Sequence, residues 1–356
     1  MAIFSIPDIK VSGISACVPE KEYNNNDYDW ISEKDREILI KTIGVEKKRY
    51  ADKGTTTADL CFVAANKLLD DLKWDRDEIQ LLIFVSQSRD YLIPATAGIL
   101  QEKFGFPKTC MAFDISLGCS GYVYGLSVIG SLMSTGRIKK ALLLSGDIST
   151  LNTSFKDKSA FPLFGDAGTA TALELKENVP KMTFNLQTDG KGYKAIIIPD
   201  GGIRNFANKE TSFEYKKIDE GIYRNNFNIA LNGVDVFNFS LREVRPNIKK
   251  TLEFASQTIE DIDYYVFHQA NKLMNETIRR QLRLPEEKVP YSLKDYGNTS
   301  SASIPLTIVT KLNEVVKNKK IKFLFSGFGV GLSWGSVILE TENIVCPEII
   351  TYQKID

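Results

Sequence analysis

The chain holds a single histidine, His268, in 356 residues. Any mechanism that needs two histidines, and any multi-histidine metal centre, is excluded. Cysteine is also sparse: Cys17, Cys61, Cys110, Cys119 and Cys346 are odd in number, widely spaced and free of any C-x-x-C pair. That pattern argues against a disulfide framework or a zinc site and fits a reducing cytoplasm. No apolar run approaches the roughly 18 residues that a membrane span requires. The opening MAIFSIPDIKVSG lacks the basic region and long apolar core of a signal peptide and reads instead as a strand. Neither G-x-G-x-x-G nor a Gly-Lys-Ser/Thr phosphate loop is present, so Gly165-Asp166-Ala167-Gly168 reads as a structural turn. Lys plus Arg equals Asp plus Glu at 45 each, which leaves no net field to recruit nucleic acid or an anionic membrane.

What is present is an alternation of apolar strands and amphipathic helices, the mark of the α/β class. The most informative stretch runs from Cys110 to Ser149. A buried strand ends at Ile115, a polar turn Ser116-Leu117-Gly118-Cys119-Ser120-Gly121 follows, and Tyr122, Leu126, Ile129 and Met133 recur at helical spacing. Gly136 stops that helix, and Ala141 to Leu144 read as a second buried strand. Cys119 thus stands at a helix start, where unpaired N–H groups and the dipole favour a thiolate and any neighbouring oxyanion. A small buried cysteine without chemistry is the competing reading. Further along, residues 200–226 read as a surface excursion, and Pro246 is expected to kink or divide the helix that starts after Gly233.

The two halves repeat. Residues 78–84 match residues 261–267, the Cys119 turn matches Tyr296-Gly297-Asn298-Thr299-Ser300, and Ala141 to Gly146 match Phe323 to Gly327. The offset stays at about 180 residues, as a duplication requires. The expected organisation is two α/β halves, 1–178 and 179–356, packed as one globule. Cys119 and Asn298 then occupy equivalent positions, and His268 directly follows a buried strand. Functional groups in open α/β sheets gather at the carboxyl ends of strands, so the three can converge.

A thiol can hold an acyl group covalently and split one transfer into two steps. A neutral histidine N–H and an asparagine amide N–H suit stabilisation of a thioester enolate as a malonyl group loses carbon dioxide. Cys, His and Asn also serve papain-like proteases, so residue type alone leaves the reaction open. Taken singly, His268 also fits a hydrogen-bonded strand end, and Asn298 a helix cap.

The motifs Asp114-Ile115-Ser116-Leu117-Gly118-Cys119-Ser120-Gly121, His268-Gln269-Ala270-Asn271 and Tyr296 to Pro305 resemble those of the β-ketoacyl-[acyl-carrier-protein] synthase III family. The resemblance implies a thiolase-like fold with duplicated halves in αβαβα layers. It implies Cys119 as acylated nucleophile, His268 and Asn298 in malonyl decarboxylation, and an oxyanion hole from the backbone N–H groups of Cys119 and Val330. The implied substrates are an acyl-CoA primer and a malonyl group on the phosphopantetheine of an acyl carrier protein, with no bound cofactor and no metal. A cytoplasmic homodimer is expected. The Cys-His-His set of the elongating synthases is ruled out by the lone histidine.

Four positions depart from the family pattern. Leu273 stands where a carrier-docking arginine is common, leaving Lys272 and Arg279 as candidates for that role. Ile38 replaces a CoA-clamping tryptophan, Ile93 takes the acyl-pocket position before Pro94, and Val330 replaces a glycine. These departures keep an alternative open: a non-decarboxylating transfer of the acyl group to an oxygen or nitrogen acceptor in a secondary or glycoconjugate pathway.

Overall fold

A computed structural model describes residues 2–353; Met1 and residues 354–356, the outer ends of the two expected halves, lie outside the described residues. In chain order the main-sheet strands are β1 (Ala2–Ile6), β2 (Ile9–Pro19), β3 (Leu81–Val85), β4 (Met111–Ile115), β5 (Lys140–Asp147), β6 (Ala167–Leu175), β7 (Met182–Thr188), β8 (Tyr264–Phe267), β9 (Lys320–Gly329), β10 (Ser333–Glu342) and β11 (Ile350–Tyr352). The helices that matter are α1 (Glu33–Ile43), α2 (Thr57–Leu72), α3 (Thr96–Phe104), α4 (Gly121–Met133), α5 (Gly233–Phe254), α6 (Lys272–Leu282) and α7 (Ser303–Lys311).

One sheet runs β11-β2-β6-β5-β3-β4 and the other β1-β7-β10-β9-β8. In each, a parallel pair (β3 with β5, β8 with β9) adjoins an antiparallel one (β5 with β6, β9 with β10), so the repeat read from the sequence is a repeat of topology. Among the described residues β4 has no counterpart strand in the second half. Its counterpart at residues 289–292 carries Pro290, which has no N–H to give to a ladder. The boundary at residue 178 falls between β6 and β7, yet both termini cross it. β1 pairs with β7 in the second sheet and β11 with β2 in the first.

The central strands read as near-continuous apolar runs because both their faces are covered, whereas the edge strand β4 is only half-buried. Leu81, Ile83 and Val85 point into a central layer with α4 and α7, while Leu82 and Phe84 point outward onto α2 and α3. On the other side Leu324, Tyr265 and Ile338 pack against α5 and α6. The result is the expected five-layer αβαβα arrangement. In α4 the predicted face of Tyr122, Leu126, Ile129 and Met133 is buried, and Gly136 closes the segment in the left-handed region at φ 82°. Residues 200–226 lie largely exposed, with a hairpin of Lys216–Asp219 and Ile222–Arg224.

Pro246 does not divide its helix: α5 runs unbroken from Gly233 to Phe254. The carbonyl left without its N–H partner belongs to Arg242, on an exposed turn open to solvent.

Because α4 is buried between the two sheets, truncating it is felt directly. Leu126→Ala, at a position with no exposure, is expected to lower unfolding free energy by about 2–5 kcal/mol. A urea titration followed by far-UV circular dichroism measures the change.

Candidate active site

β5, β3 and β4 lie side by side and parallel, so their carboxyl ends open on one edge of the first sheet. Cys119 sits beyond β4, 8% exposed, at the start of α4. The turn is cramped. A Cβ on Gly118 would lie 2.5 Å from Gln87 Oε1 and 2.9 Å from Val330 Cγ1, so any larger residue there would have to displace those side chains. At the end of β9, Gly329 has φ 155°, and a Cβ there would stand 2.8 Å from Cys119 Sγ. The sulfur therefore lies directly over the backbone of the Gly329–Val330 loop.

His268 follows β8 and is 1% exposed. Its Nδ1 lies 2.8 Å from Ser303 Oγ, and the same hydroxyl accepts the Gln269 backbone N–H at 3.3 Å. Where the hydroxyl donates to Nδ1, the ring proton is assigned to Nε2. Phe328 meets the ring edge-on at a centroid distance of 5.6 Å. Asn298 is anchored through its backbone: its N–H donates to Leu163 O at 2.9 Å, and its carbonyl accepts from Gly165 N at 3.1 Å. Its Oδ1 accepts from Ser300 N at 2.9 Å, the cap-like bond foreseen for this residue type. Its Nδ2 donates to Ala270 O at 3.3 Å and retains a second N–H.

Cys119, His268, Asn298 and Val330 line one cavity of about 400 Å³. Its other walls are Ile196, Ile197, Ile229 and Leu231, with Val236 of α5 and Met274 of α6. Burial dominates its electrostatics. It pushes the Cys119 thiol up to about 11, with the Val330 backbone N–H drawing it down and Asp147 pushing it further up; Ser300 and the Cys119 backbone also draw it down. Burial likewise pushes His268 down to about 3, against an opposing backbone hydrogen bond with Ser300. The expectation of a thiolate at the helix start is thus overturned: desolvation outweighs the N–H donors, and both groups rest neutral. The N–H groups of Cys119 and Val330 nevertheless converge on the sulfur.

Sequence reasoning passed over Asp147, which is 3% exposed and lines the same cavity. Its carboxylate accepts from Gln87 N at 2.7 Å, from Ser86 Oγ at 3.1 Å and from Ser301 Oγ at 3.1 Å. It ties the loop after β3 to the loop that carries Asn298. The signal was available: an acidic residue closes the apolar strand Ala141 to Gly146, and the repeat sets it opposite Phe328.

Two expected site residues are misplaced. Ile93 is 87% exposed and does not line the cavity of its own chain, because the loop leaves the cavity after Ser88. Arg279 is 8% exposed and is held by Glu276 at 2.8 Å and Glu286 at 3.0 Å, with Nη1 donating to Leu284 O at 2.6 Å. Its guanidinium is spent on fixing the end of α6 and is not available to a partner. Lys272 is exposed, facing a second concavity with Lys41 and Lys294. Among the described residues no cluster of three or more His, Cys, Asp or Glu can hold a metal ion.

Two family models match: the 3-oxoacyl-[acyl-carrier-protein] synthase III model over residues 113–190 and its C-terminal companion over residues 252–341. A β-ketoacyl-[acyl-carrier-protein] synthase III of Clostridioides difficile is 31% identical over 334 residues, 93% of this chain and 97% of that one. The chain belongs to the synthase III family. Its fold matches the crystal structure of a 3-oxoacyl-(acyl-carrier protein) synthase from Burkholderia xenovorans LB400 with a TM-score of 0.92 at 36% identity, covering 98% of this chain and 99% of the other. A second solved 3-oxoacyl-(acyl-carrier-protein) synthase III aligns with a TM-score of 0.89 at 32% identity, covering 94% and 99%. As a synthase III the protein is an acyltransferase of the thiolase-like fold. The stretch between the two matched models contains the 200–226 excursion.

The neutral thiol has a kinetic signature. With its pKa raised to about 11, the thiolate fraction of Cys119 grows about tenfold per pH unit across pH 7 to 9. Iodoacetamide alkylation of Cys119, followed by mass spectrometry, is expected to accelerate by that slope throughout and to show no plateau below pH 9.

Proposed function

We propose that the protein carries out a decarboxylative condensation between an acyl-CoA primer and malonyl-[acyl-carrier-protein]. The observation that supports this most is the convergence of Cys119, a neutral His268 and Asn298 on one cavity. In the first step the Cys119 sulfur attacks the primer thioester carbonyl. The backbone N–H groups of Cys119 and Val330 receive the developing oxyanion. The carbon–sulfur bond to CoA breaks, and the CoA thiol leaves with the proton that Cys119 loses. In the second step malonyl thioester enters the emptied arm of the cavity. His268 Nε2–H and the free Asn298 amide N–H donate to its thioester oxygen while the C–CO2 bond breaks. The resulting carbanion attacks the acyl carbon on Cys119, the Cys119 sulfur leaves and regains a proton, and a 3-oxoacyl thioester departs on the carrier.

A neutral His268 matters to this scheme. A donor that stays uncharged at working pH can stabilise an enolate without first losing a proton to the thiol. Lys272, exposed at the start of α6, is the retained candidate for docking the acidic carrier, whereas Arg279 is withdrawn. We assign a homodimer as well, supported by the loop on which Tyr91, Leu92 and Ile93 are 61, 61 and 87% exposed. A second copy lying on that loop would remove three large apolar side chains from water. The five free cysteines accord with a reducing cytoplasm.

The roles are separable by substitution. Cys119→Ala is expected to form no acyl adduct and no condensation product. His268→Ala and Asn298→Ala are expected to keep acylation of Cys119 while losing at least about a hundredfold in carbon dioxide release, the scale of removing one such donor. Radiolabelled carbon dioxide release from malonyl carrier protein, alongside intact-protein mass, reads both steps. Loading of Cys119 with transfer to an alcohol or amine and no carbon dioxide would replace condensation with simple acyl transfer.

A further inference from the structure

The cavity around Cys119 is not uniformly apolar. Gln87 follows β3, Ser149 and Asn152 follow β5, and all three line the cavity that holds Cys119. Their neighbours in sequence are fully occupied. Ser88 Oγ accepts the Ile148 N–H at 2.8 Å, and Thr150 Oγ1 donates to Asp166 at 2.5 Å. The side chains of Gln87, Ser149 and Asn152 make no hydrogen bond among the described residues, and none of their polar atoms is sealed from solvent. Ser149 is buried and Asn152 half-buried at the cavity wall, while Gln87 stands exposed at its mouth. Gln87 is also the side chain that packs against the Cys119 turn, with Oε1 2.5 Å from where a Gly118 Cβ would lie.

The opposite wall has another character. Ile196, Ile197 and Leu231, on two short paired strands, with the adjoining Ile229 and Met274 of α6, form an apolar corridor. That side accommodates a thioester arm. The first-half side, at the ends of β3 and β5, offers two carboxamides and a hydroxyl, each able both to donate and to accept. An all-hydrocarbon acyl chain on Cys119 would displace water from these groups and give them no partner. A hydroxyl on the acyl chain would supply one. An acyl carboxylate would not suit, since the buried Asp147 carboxylate accepts the Gln87 backbone N–H and stands two residues before Ser149 in the chain.

We propose that the acyl group accepted by Cys119 is short, uncharged and hydroxylated, and that Gln87, Ser149 and Asn152 determine this preference. The inference rests on the acyl-CoA reading above and narrows it to a substrate class. Loading forms one bond from the Cys119 sulfur to the acyl carbon and releases one CoA thiol.

The test is initial-rate acylation of the full chain, read by intact-protein mass, with butyryl-CoA, 3-hydroxybutyryl-CoA and succinyl-CoA. The 3-hydroxybutyryl group is expected to load at least about tenfold faster than butyryl, because a site built to bind a hydroxyl rejects the analogue lacking it. Succinyl is expected to load slowest. Gln87→Leu and Asn152→Leu, each checked for an unchanged thermal midpoint, are expected to reverse the order of butyryl and 3-hydroxybutyryl. Ser149→Ala is expected to narrow the gap. Equal or faster loading of butyryl by the unaltered protein overturns the hydroxyacyl preference and leaves the acyl-CoA reading intact. A preference that none of the three substitutions shifts overturns the residue assignment. If none of the three thioesters loads Cys119, the acyl-CoA reading falls, and the preference falls with it.

Discussion

Everything at the site depends on how closely the end of β9 approaches the Cys119 turn. A Cβ on Gly327 would lie 2.9 Å from Ser120 Cα and 3.0 Å from Cys119 O, so the two halves meet there backbone to backbone. Ser120 Oγ and Ser333 Oγ, 2.6 Å apart and buried, bond across the same seam. This contact sets the Val330 N–H against the Cys119 sulfur and so brings donors from both halves to one atom. It also explains why three residues drawn from loops far apart in the chain share one cavity. A second tie, Asp147 to Ser301, holds the Asn298 loop from the first-half side.

The same contact excludes water, and exclusion decides the protonation states. Desolvation raises the Cys119 thiol to about 11 and lowers His268 to about 3. A thiolate–imidazolium pair, the arrangement that serves peptide hydrolysis by cysteine enzymes, is thereby disfavoured. The resting site holds neutral groups whose N–H donors await a thioester oxygen. Charge appears only as the reaction proceeds, where fixed donors in a dry site are most effective.

Much of this was legible in the sequence because duplication converts spacing into geometry. The near-constant offset pairs Cys119 with Asn298, and the single histidine leaves His268 no rival. The apolar strands gave layers, since periodicity and burial are local in origin. What stayed illegible were side chains whose direction depends on distant backbone. Arg279 looks like an exposed helix charge, yet the chain folds back beyond α6 and brings Glu286 within 3.0 Å. Ile93 sits beside a proline in a loop whose outward course depends on neighbours rather than on its own residues. The resting protonation of Cys119 is hidden for the same reason: a helix start is visible in sequence, while the depth of burial that outweighs it is not. The polar wall of Gln87, Ser149 and Asn152 likewise takes its direction from the bonds that Asp147 and Ser88 make to the backbone around it.

The central claim is that Cys119 carries an acyl group which a malonyl-derived carbanion then removes. It is tested most directly by a pulse and chase followed by intact-protein and peptide mass spectrometry. The protein is loaded with an acyl-CoA, freed of excess thioester, and mixed with malonyl carrier protein. The account predicts a mass gain of one acyl group confined to Cys119, then its loss together with release of one carbon dioxide per acyl group. An adduct on any other residue, or discharge of Cys119 without carbon dioxide, would contradict it.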